Sequence, residues 1–358
     1  MKIYKLSFTS VFGILFCLSI VTVSCENNND GPKGLFENGI FITNEGTFNS
    51  NNGSVSFYAY GADSVINNVF SSVNGRVLGD VVQSLTEFGN LAFVVVNNSN
   101  KVEVVNRFTF QEQGAIENLT QPRYLVARNN KAYVSCWDNT VKVVDLSNYS
   151  VINSINVGSG PERMLIAKDK LFVANGGAFG TDSTISVIDL ATETVVEEIP
   201  VHYNAKSLVI DKNGSIWALC AGKSVWVDFV LVEETPSMLY KIDAATNSVV
   251  MSFELFENAH PKSLYISNDG STLYHDGGFM AAGIYSLTID GSEGTMTKII
   301  DKSAYGFAYD SSSDVLFVCD AGDYVSAGSL MRYSTAGSML GKYTVGVVPN
   351  GASFKKTR

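Results

Sequence analysis

The stretch GPERMLIAKDKLFVANGG, residues 160–177, decides the fold. A turn carrying Pro161 leads into an apolar run. A short polar turn follows, and a second apolar run, LFVAN, stops at a glycine pair. Short apolar runs rich in β-branched and aromatic residues, bounded by turn residues, read as paired strands.

The same phrase returns along the chain. It appears as QPRYLVARNNKAYVSCW (121–137), NAKSLVIDKNGSIWALCAG (204–222), HPKSLYISNDGSTLYHDGG (260–278) and SAYGFAYDSSSDVLFVCDAG (303–322). A weaker copy is DVVQSLTEFGNLAFVVVN (80–97), and VPNGASF (348–354) is a shortened one. Aligning on the proline gives Val82, Pro122, Pro161, Ala205, Pro261, Ala304 and Pro349, with spacings of 40, 39, 44, 56, 43 and 45 residues. Strand-rich periods near 40–45 residues are the mark of propeller blades.

A second series lies between the anchors: SVSFYA (54–59), KVEVVN (101–106), VKVVDL (141–146), ISVIDL (185–190), LYKIDA (239–244), IYSLTID (284–290) and LMRYST (330–335). Further alternating runs follow, such as VINSINV (151–157) and TVVEEIPV (194–201). Four strands per unit and seven units predict an all-β, seven-bladed propeller of antiparallel blades. No long amphipathic helix interrupts the strands, which argues against an α/β fold. GIFITNEG (39–46) reads as a second strand without its first, and VPNGASF as a first strand without its second. Pairing them closes the ring and removes an open sheet edge. A β-helix or two sandwiches is the alternative, and neither explains the single first strand at 348–354.

The N-terminal MKIYKLSFTSVFGILFCLSIVTVSC has Lys2 and Lys5, then an apolar run, then Ser24-Cys25. This is the layout of a secretory signal, and its end resembles a lipobox. The expected organisation is a signal peptide over 1–24, a lipidated Cys25 with a flexible tether over 25–35, and the propeller over 36–358. Such an anchor holds a domain at a membrane without spanning it, which places the protein in the outer membrane, facing the surface or the periplasm. Cys136, Cys220 and Cys319 each end the same kind of strand, so they read as small buried hydrophobes rather than a disulfide frame. A formal net charge of −10 argues against a broad nucleic-acid footprint, which needs clustered Lys and Arg.

The phrases AYVSCW, LFVANG and VKVVDL, with their proline anchors, resemble the YVTN-repeat, YncE-like propellers. GIFITNEGTFNSNNGSVSFY, NGRVLGDVVQSL and the lipoprotein-like start resemble the Bacteroidetes surface-lipoprotein branch of DUF5074 type. Some propeller lipoproteins of that kind capture corrinoids for a TonB-dependent transporter. The resemblance therefore implies a corrinoid (vitamin B12) ligand and such a transporter as partner.

In an up-and-down blade, the loops between the second and third strands share a face with the connections between blades. These loops bring Phe48, Trp137, Phe179, Trp226, Phe229, Phe279 and Tyr324 to one rim, a composition suited to a flat organic ligand or a glycan. The blade-entry turns are read as placing Gln83, Arg123, Arg163, Lys206, Lys262, Tyr305 and Asn350 just after the anchor. The four cations among them, Arg123, Arg163, Lys206 and Lys262, are the candidates for an anion-binding ring, or for pairing with groups of the next blade. His202, His260 and His275 show no metal-ligand spacing, and the blade starts offer one carboxylate, Glu162. No phosphate loop, dinucleotide fingerprint or nucleophile elbow is present. The reading favoured is a binding protein without metal or cofactor. The alternatives are a protein- or glycan-interaction module and a lyase or lactonase with a channel metal.

Overall fold

The structure, a computed structural model, describes residues 33–289 and 294–354. The expected signal segment, Cys25 and the tether up to Pro32 lie outside the described residues. Among the described residues the strands form seven four-stranded sheets and one two-stranded hairpin. The seven sheets are the expected blades. Blade 1 spans Gly39–Asn44, Ser54–Ala59 and Ser64–Ile66, and takes its innermost strand, Pro349–Ser353, from the other end of the fold. Blades 2, 3 and 4 run through 82–116, 122–156 and 161–200. Blades 5, 6 and 7 run through 205–256, 264–300 and 306–347. The innermost strands touch in a closed circle, with Pro349–Ser353 lying between the first strands of blades 7 and 2. Closure rests on an antiparallel pairing in which Phe41 faces Ser353, Ile42 faces Ala352 and Thr43 faces Gly351.

The burial pattern follows strand position. The second strands, such as Leu91–Val96 and Lys170–Asn175, are buried on both sides because a neighbouring blade covers each face. That is why LAFVVV and LFVA read as continuous apolar runs. The outermost strands, such as Ser150–Asn156 and Thr194–Pro200, are mostly exposed and polar. The cores lie between blades: Phe172, Ile185 and Val187 of blade 4 pack with Leu208, Ile216 and Ala218 of blade 5. Each such large side chain contributes roughly 1.5–3 kcal/mol on leaving water. Cys136, Cys220 and Cys319 are buried thiols in these layers, each pushed up to about 12, chiefly by burial.

Turn chemistry repeats as well. In DLSN (145–148), DLAT (189–192) and DAAT (243–246), the aspartate carboxylate accepts backbone N–H bonds two or three residues on: Ser147 at 2.8 Å, Ala191 and Thr192 at 2.9 Å, and Ala245 at 2.7 Å. These bonds hold all three carboxyls below their ordinary range. The residue closing each turn, Tyr149, Glu193 or Asn247, has a φ of 60°, 54° or 59°. A side-chain acceptor of this kind is the usual way a short turn satisfies its backbone donors.

The two ends of the ring differ. Second strands meet the blade starts at one face: Asn97 N–H bonds Val81 O, Trp137 N–H bonds Gln121 O, and Gly176 N–H bonds Gly160 O. The described chain begins at the other face, where Phe36 N–H bonds Phe108 O in the turn between the third and fourth strands of blade 2. Two features depart from the expected pattern. A short helix, Val69–Asn74, links blades 1 and 2. The long connection in blade 5, expected as a loop, is a β-hairpin of Ser224–Val227 and Val230–Glu234.

Candidate functional site

The blade starts build the mouth of the central channel. In blades 2–5 the first strand opens with a break in register, between Val82 and Ser84, Pro122 and Leu125, Pro161 and Met164, and Ala205 and Ser207. Such a bulge turns adjacent side chains out of strict alternation. In blade 4 it brings both Glu162 and Arg163 into play, where strict alternation would hide one. The position matching Arg123, Lys206 and Lys262 is occupied by Glu162, and Arg163 lies one step further along the strand.

Glu162 is the hub. Its side chain is 2% exposed and takes Arg123 on one side and Lys206 on the other. Arg123 Nε and Nη2 approach Glu162 Oε2 at 3.2 Å, and Lys206 Nζ donates to Oε1 at 3.1 Å. Burial alone would raise the Glu162 pKa, but the two cations outweigh it and hold the carboxyl below its ordinary 4.5. Arg123 also donates to Gln83 Oε1, and its guanidinium lies 4.3 Å over the Trp137 ring. Arg163 lies 4.6 Å over the Tyr124 ring and reaches the Tyr265 hydroxyl.

The opposite arc is neutral and acidic. Tyr305 donates to Glu45 Oε2 at 2.8 Å, and Asn350 Nδ2 donates to Glu45 Oε1 at 3.0 Å. Burial, reinforced by Glu45, pushes the Tyr305 hydroxyl upward. Asn350 also donates to the carbonyl of Gln83 at 3.0 Å, which completes the arc back to blade 2. Lys262 rests its ammonium 4.3 Å over the Tyr305 ring. Asp276, behind it, uses its carboxylate on the backbone N–H groups of Lys262, Ser263 and Gly278. Among the described residues no carboxylate lies within ion-pair distance of Lys262 or Arg163. Pairing between blades therefore describes Arg123 and Lys206, and it does not describe Lys262 or Arg163.

The aromatic rim divides too. Phe48, Trp226, Phe229, Phe279 and Tyr324 are exposed, Phe229 fully and Phe279 by 90%. They do not cover cores of their own loops. Val227, Val230, Leu231, Met280 and Val325 are exposed beside them. These groups belong to blades 5, 6, 7 and 1, which are consecutive around the ring. Trp137 is different: it is half-buried beneath Arg123 and forms wall rather than rim. Phe179 falls in the helical turn Gly177–Gly180, and its side chain lies outside the described residues. Tyr324 packs edge-on against Tyr305, with ring centroids 5.4 Å apart, which connects rim and mouth. Two clefts, of about 490 and 300 Å³, are lined by other residues: one by Glu117, Lys142 and Tyr149, the other by Asn52, Asn68 and Phe70.

His260 and His275 have structural roles. His260 meets Ala221 O through Nδ1, and Glu234 Oε1 and Ser224 Oγ through Nε2, so it fastens the blade 5 hairpin to the start of blade 6. His275 is buried, stacks on Tyr285 at 5.4 Å, and is pushed down in pKa by burial. Among the described residues no group of three or more His, Cys, Asp or Glu is placed to hold a metal ion.

No curated protein matches the sequence. Among solved structures, the periplasmic gluconolactonase PpgL of Pseudomonas aeruginosa is similar, with a TM-score of 0.65 and 14% identity over 89% of this chain and 99% of that one. A quinonprotein alcohol dehydrogenase-like protein of Bacteroides thetaiotaomicron has a TM-score of 0.65 and 14% identity over 89% of this chain and 78% of its own. Hydrazine synthase of Kuenenia stuttgartiensis has a TM-score of 0.61 and 16% identity over 78% of this chain and 93% of that one. At such identities the likeness concerns the fold alone. In sequence, residues 38–328, from the second strand of blade 1 to the third strand of blade 7, match a single family. The chain belongs to DUF5074, a domain family of unknown function.

Proposed function

We propose that this protein captures a small organic ligand at the channel-mouth face without transforming it. One observation carries the reading: exposed aromatic groups from four consecutive blades border a mouth where two cations, Lys262 and Arg163, lie over aromatic rings outside any ion pair. Apolar surface beside a few convergent polar groups is what ligand recognition requires. Of the two carboxylates of the mouth, Glu162 has both oxygens engaged by cations, which suits a charge anchor and not a proton acceptor, and Glu45 is held by Tyr305 and Asn350.

The finer reading is a lipoprotein anchored through Cys25 in the outer membrane, taking a corrinoid for a TonB-dependent transporter. Two facts support it: the lipobox-like Ser24-Cys25, and a described chain that begins at the face opposite the mouth. The test is a thermal-shift and calorimetric titration of the chain from Glu26 onward, since the described residues from Lys33 to Phe354 belong to one compact unit. The panel holds cobalamin, cobinamide, haem, common glycans and divalent metals. A ligand at a hundred times its Kd adds about 2.7 kcal/mol of stability. A corrinoid shift lost in Trp226→Ala/Phe279→Ala is the expected result. A shift with metals alone overturns it in favour of an enzyme.

A second reading is docking onto a protein. Full exposure of Phe229 at a hairpin tip favours it, because large exposed apolar groups mark interaction surfaces. A flat response to the whole panel, with a membrane protein retained by the wild type and lost with Phe229→Ala, is its signature.

A further inference from the structure

The capture reading leaves open what chemical group the mouth selects. We propose that it selects an oxyanion, phosphate or carboxylate, carried on an apolar body, and that Lys262 and Arg163 are the residues that hold it. The inference rests on the capture reading and adds the ligand's charge to it.

Arg123 and Lys206 divide a single carboxylate, Glu162, between them. Glu45 is engaged by the neutral donors Tyr305 and Asn350. Asp276 is engaged by backbone N–H groups. Lys262 and Arg163 make no ion pair: Lys262 lies over Tyr305, and Arg163 lies over Tyr124 and reaches Tyr265, with the Glu162 carboxylate beyond ion-pair distance but still attracting it. A cation on a ring face keeps its remaining N–H donors available.

Position argues the same way. Lys262 and Tyr265 stand three residues apart at the start of blade 6, and Arg163 reaches Tyr265 from blade 4. A blade 4 side chain meets blade 6 only by crossing the channel in front of blade 5. Both cations thus stand at the channel, Arg163 reaching across it to blade 6 and Lys262 leaning over Tyr305 of blade 7. This happens in a chain whose net charge is −10, where unpaired cations are not the general condition of the surface. A channel wall of low polarizability concentrates such a field. The exposed apolar groups, Trp226, Phe279 and Tyr324, belong to blades 5, 6 and 7, so the apolar body and the anion find their partners on one side of the ring.

The test is isothermal titration of the chain from Glu26 onward with phenyl phosphate, benzoate, inorganic phosphate and neutral benzyl alcohol. The expected result is binding of at least one aromatic anion, tighter than inorganic phosphate and absent with benzyl alcohol. Loss of one charge-assisted contact lowers affinity about tenfold or more. Lys262→Gln and Arg163→Gln each show that loss, and Lys342→Gln, on the exposed outer strand of blade 7, does not. Phenyl phosphate against benzoate decides which oxyanion is preferred. Lys262 is exposed, so its variant remains informative should Arg163→Gln fail to fold. Anions that do not bind, equal binding of benzyl alcohol, or an unchanged Lys262→Gln overturns the inference. Cobalamin binding with no anion binding sinks the oxyanion and leaves capture standing; anion binding without cobalamin keeps the oxyanion and removes the corrinoid.

Discussion

A buried carboxylate whose two oxygens are taken by cations from two neighbouring blades fastens those blades together. Glu162 does this, and its removal leaves Arg123 and Lys206 repelling each other in a poorly hydrated place. Glu162→Gln is expected to cost roughly 3 kcal/mol, the lower end of the range for breaking a buried pair, read from denaturant unfolding at pH 7. The pH dependence has a definite sign. The folded-state pKa of Glu162 lies below 4.5, so its contribution is fully present above the unfolded pKa and disappears as pH falls through the folded value. The gap between wild type and Glu162→Gln should be constant near neutrality and close below pH 4.5; a gap that widens in acid contradicts the assignment. The sequence showed Glu162 as the one carboxylate among the blade starts. The proline alignment already sets Glu162 after Pro161 as Arg123 stands after Pro122; what it does not show is the bulge that brings Arg163 to the channel as well, because a bulge is invisible to strict alternation. Trp137 looked like a rim residue for a related reason: a loop position states which face a side chain is on, not whether a guanidinium will lie over it.

The blade 5 hairpin is the element that departs most from its neighbours. Its tip is Asp228-Phe229, with φ of 47° and 63°, the left-handed pair of a type I′ turn. Glycine or asparagine normally occupies such positions, and a bulky residue there costs on the order of 1–2 kcal/mol. Phe229 recovers none of this from packing, being fully exposed. Phe229→Gly should therefore keep or raise hairpin stability, measured as slower amide exchange across Ser224–Glu234, while it weakens whatever the tip binds. At the other end His260 holds the hairpin base. His260→Ala should speed chymotryptic cleavage at Trp226 and Phe229 severalfold and barely move the global melting temperature; a large global loss would show that the hairpin is part of the core. The segment VWVDFVLV reads as a loop in the sequence because the four-strand count of the blade is already complete without it. The helix Val69–Asn74 gave no signal at all. It is six residues long, and Asn68 caps it without a side-chain hydrogen bond. By contrast DLSN, DLAT and DAAT announced their turns, since the aspartate does the same work each time.

At the scale of the whole ring, inner strands would present bare edges to the channel were they not stitched together. Ser84 Oγ donates to Arg123 O and Thr86 Oγ1 to Leu125 O, both at 2.8 Å, and Asn350 bonds the carbonyls of Val82 and Gln83. Removing residues 349–358 takes away one of these strands and uncovers Gly39–Asn44. The expected outcome is loss of a single cooperative unfolding transition, with aggregation during purification. A truncated chain that melts as sharply as the full one would mean that the closure is ornamental. The blade count and the closing pair were readable because each repeat carried the same anchor and the two end phrases were complementary halves. The direction of the mouth relative to the chain's start was not readable, since it depends on which turn the first described residues cross.

The pairing of Phe41 with Ser353 also sets a clock. Ribosomes add roughly 5–20 residues each second, so the first blade waits on the order of 15–60 s for the strand that completes it. During that interval every other blade is able to form while Gly39–Asn44 keeps one side vacant. A nascent chain of this design is a natural client for holding chaperones, and a message cut short near its end yields a product that is almost entirely made and still unable to shut.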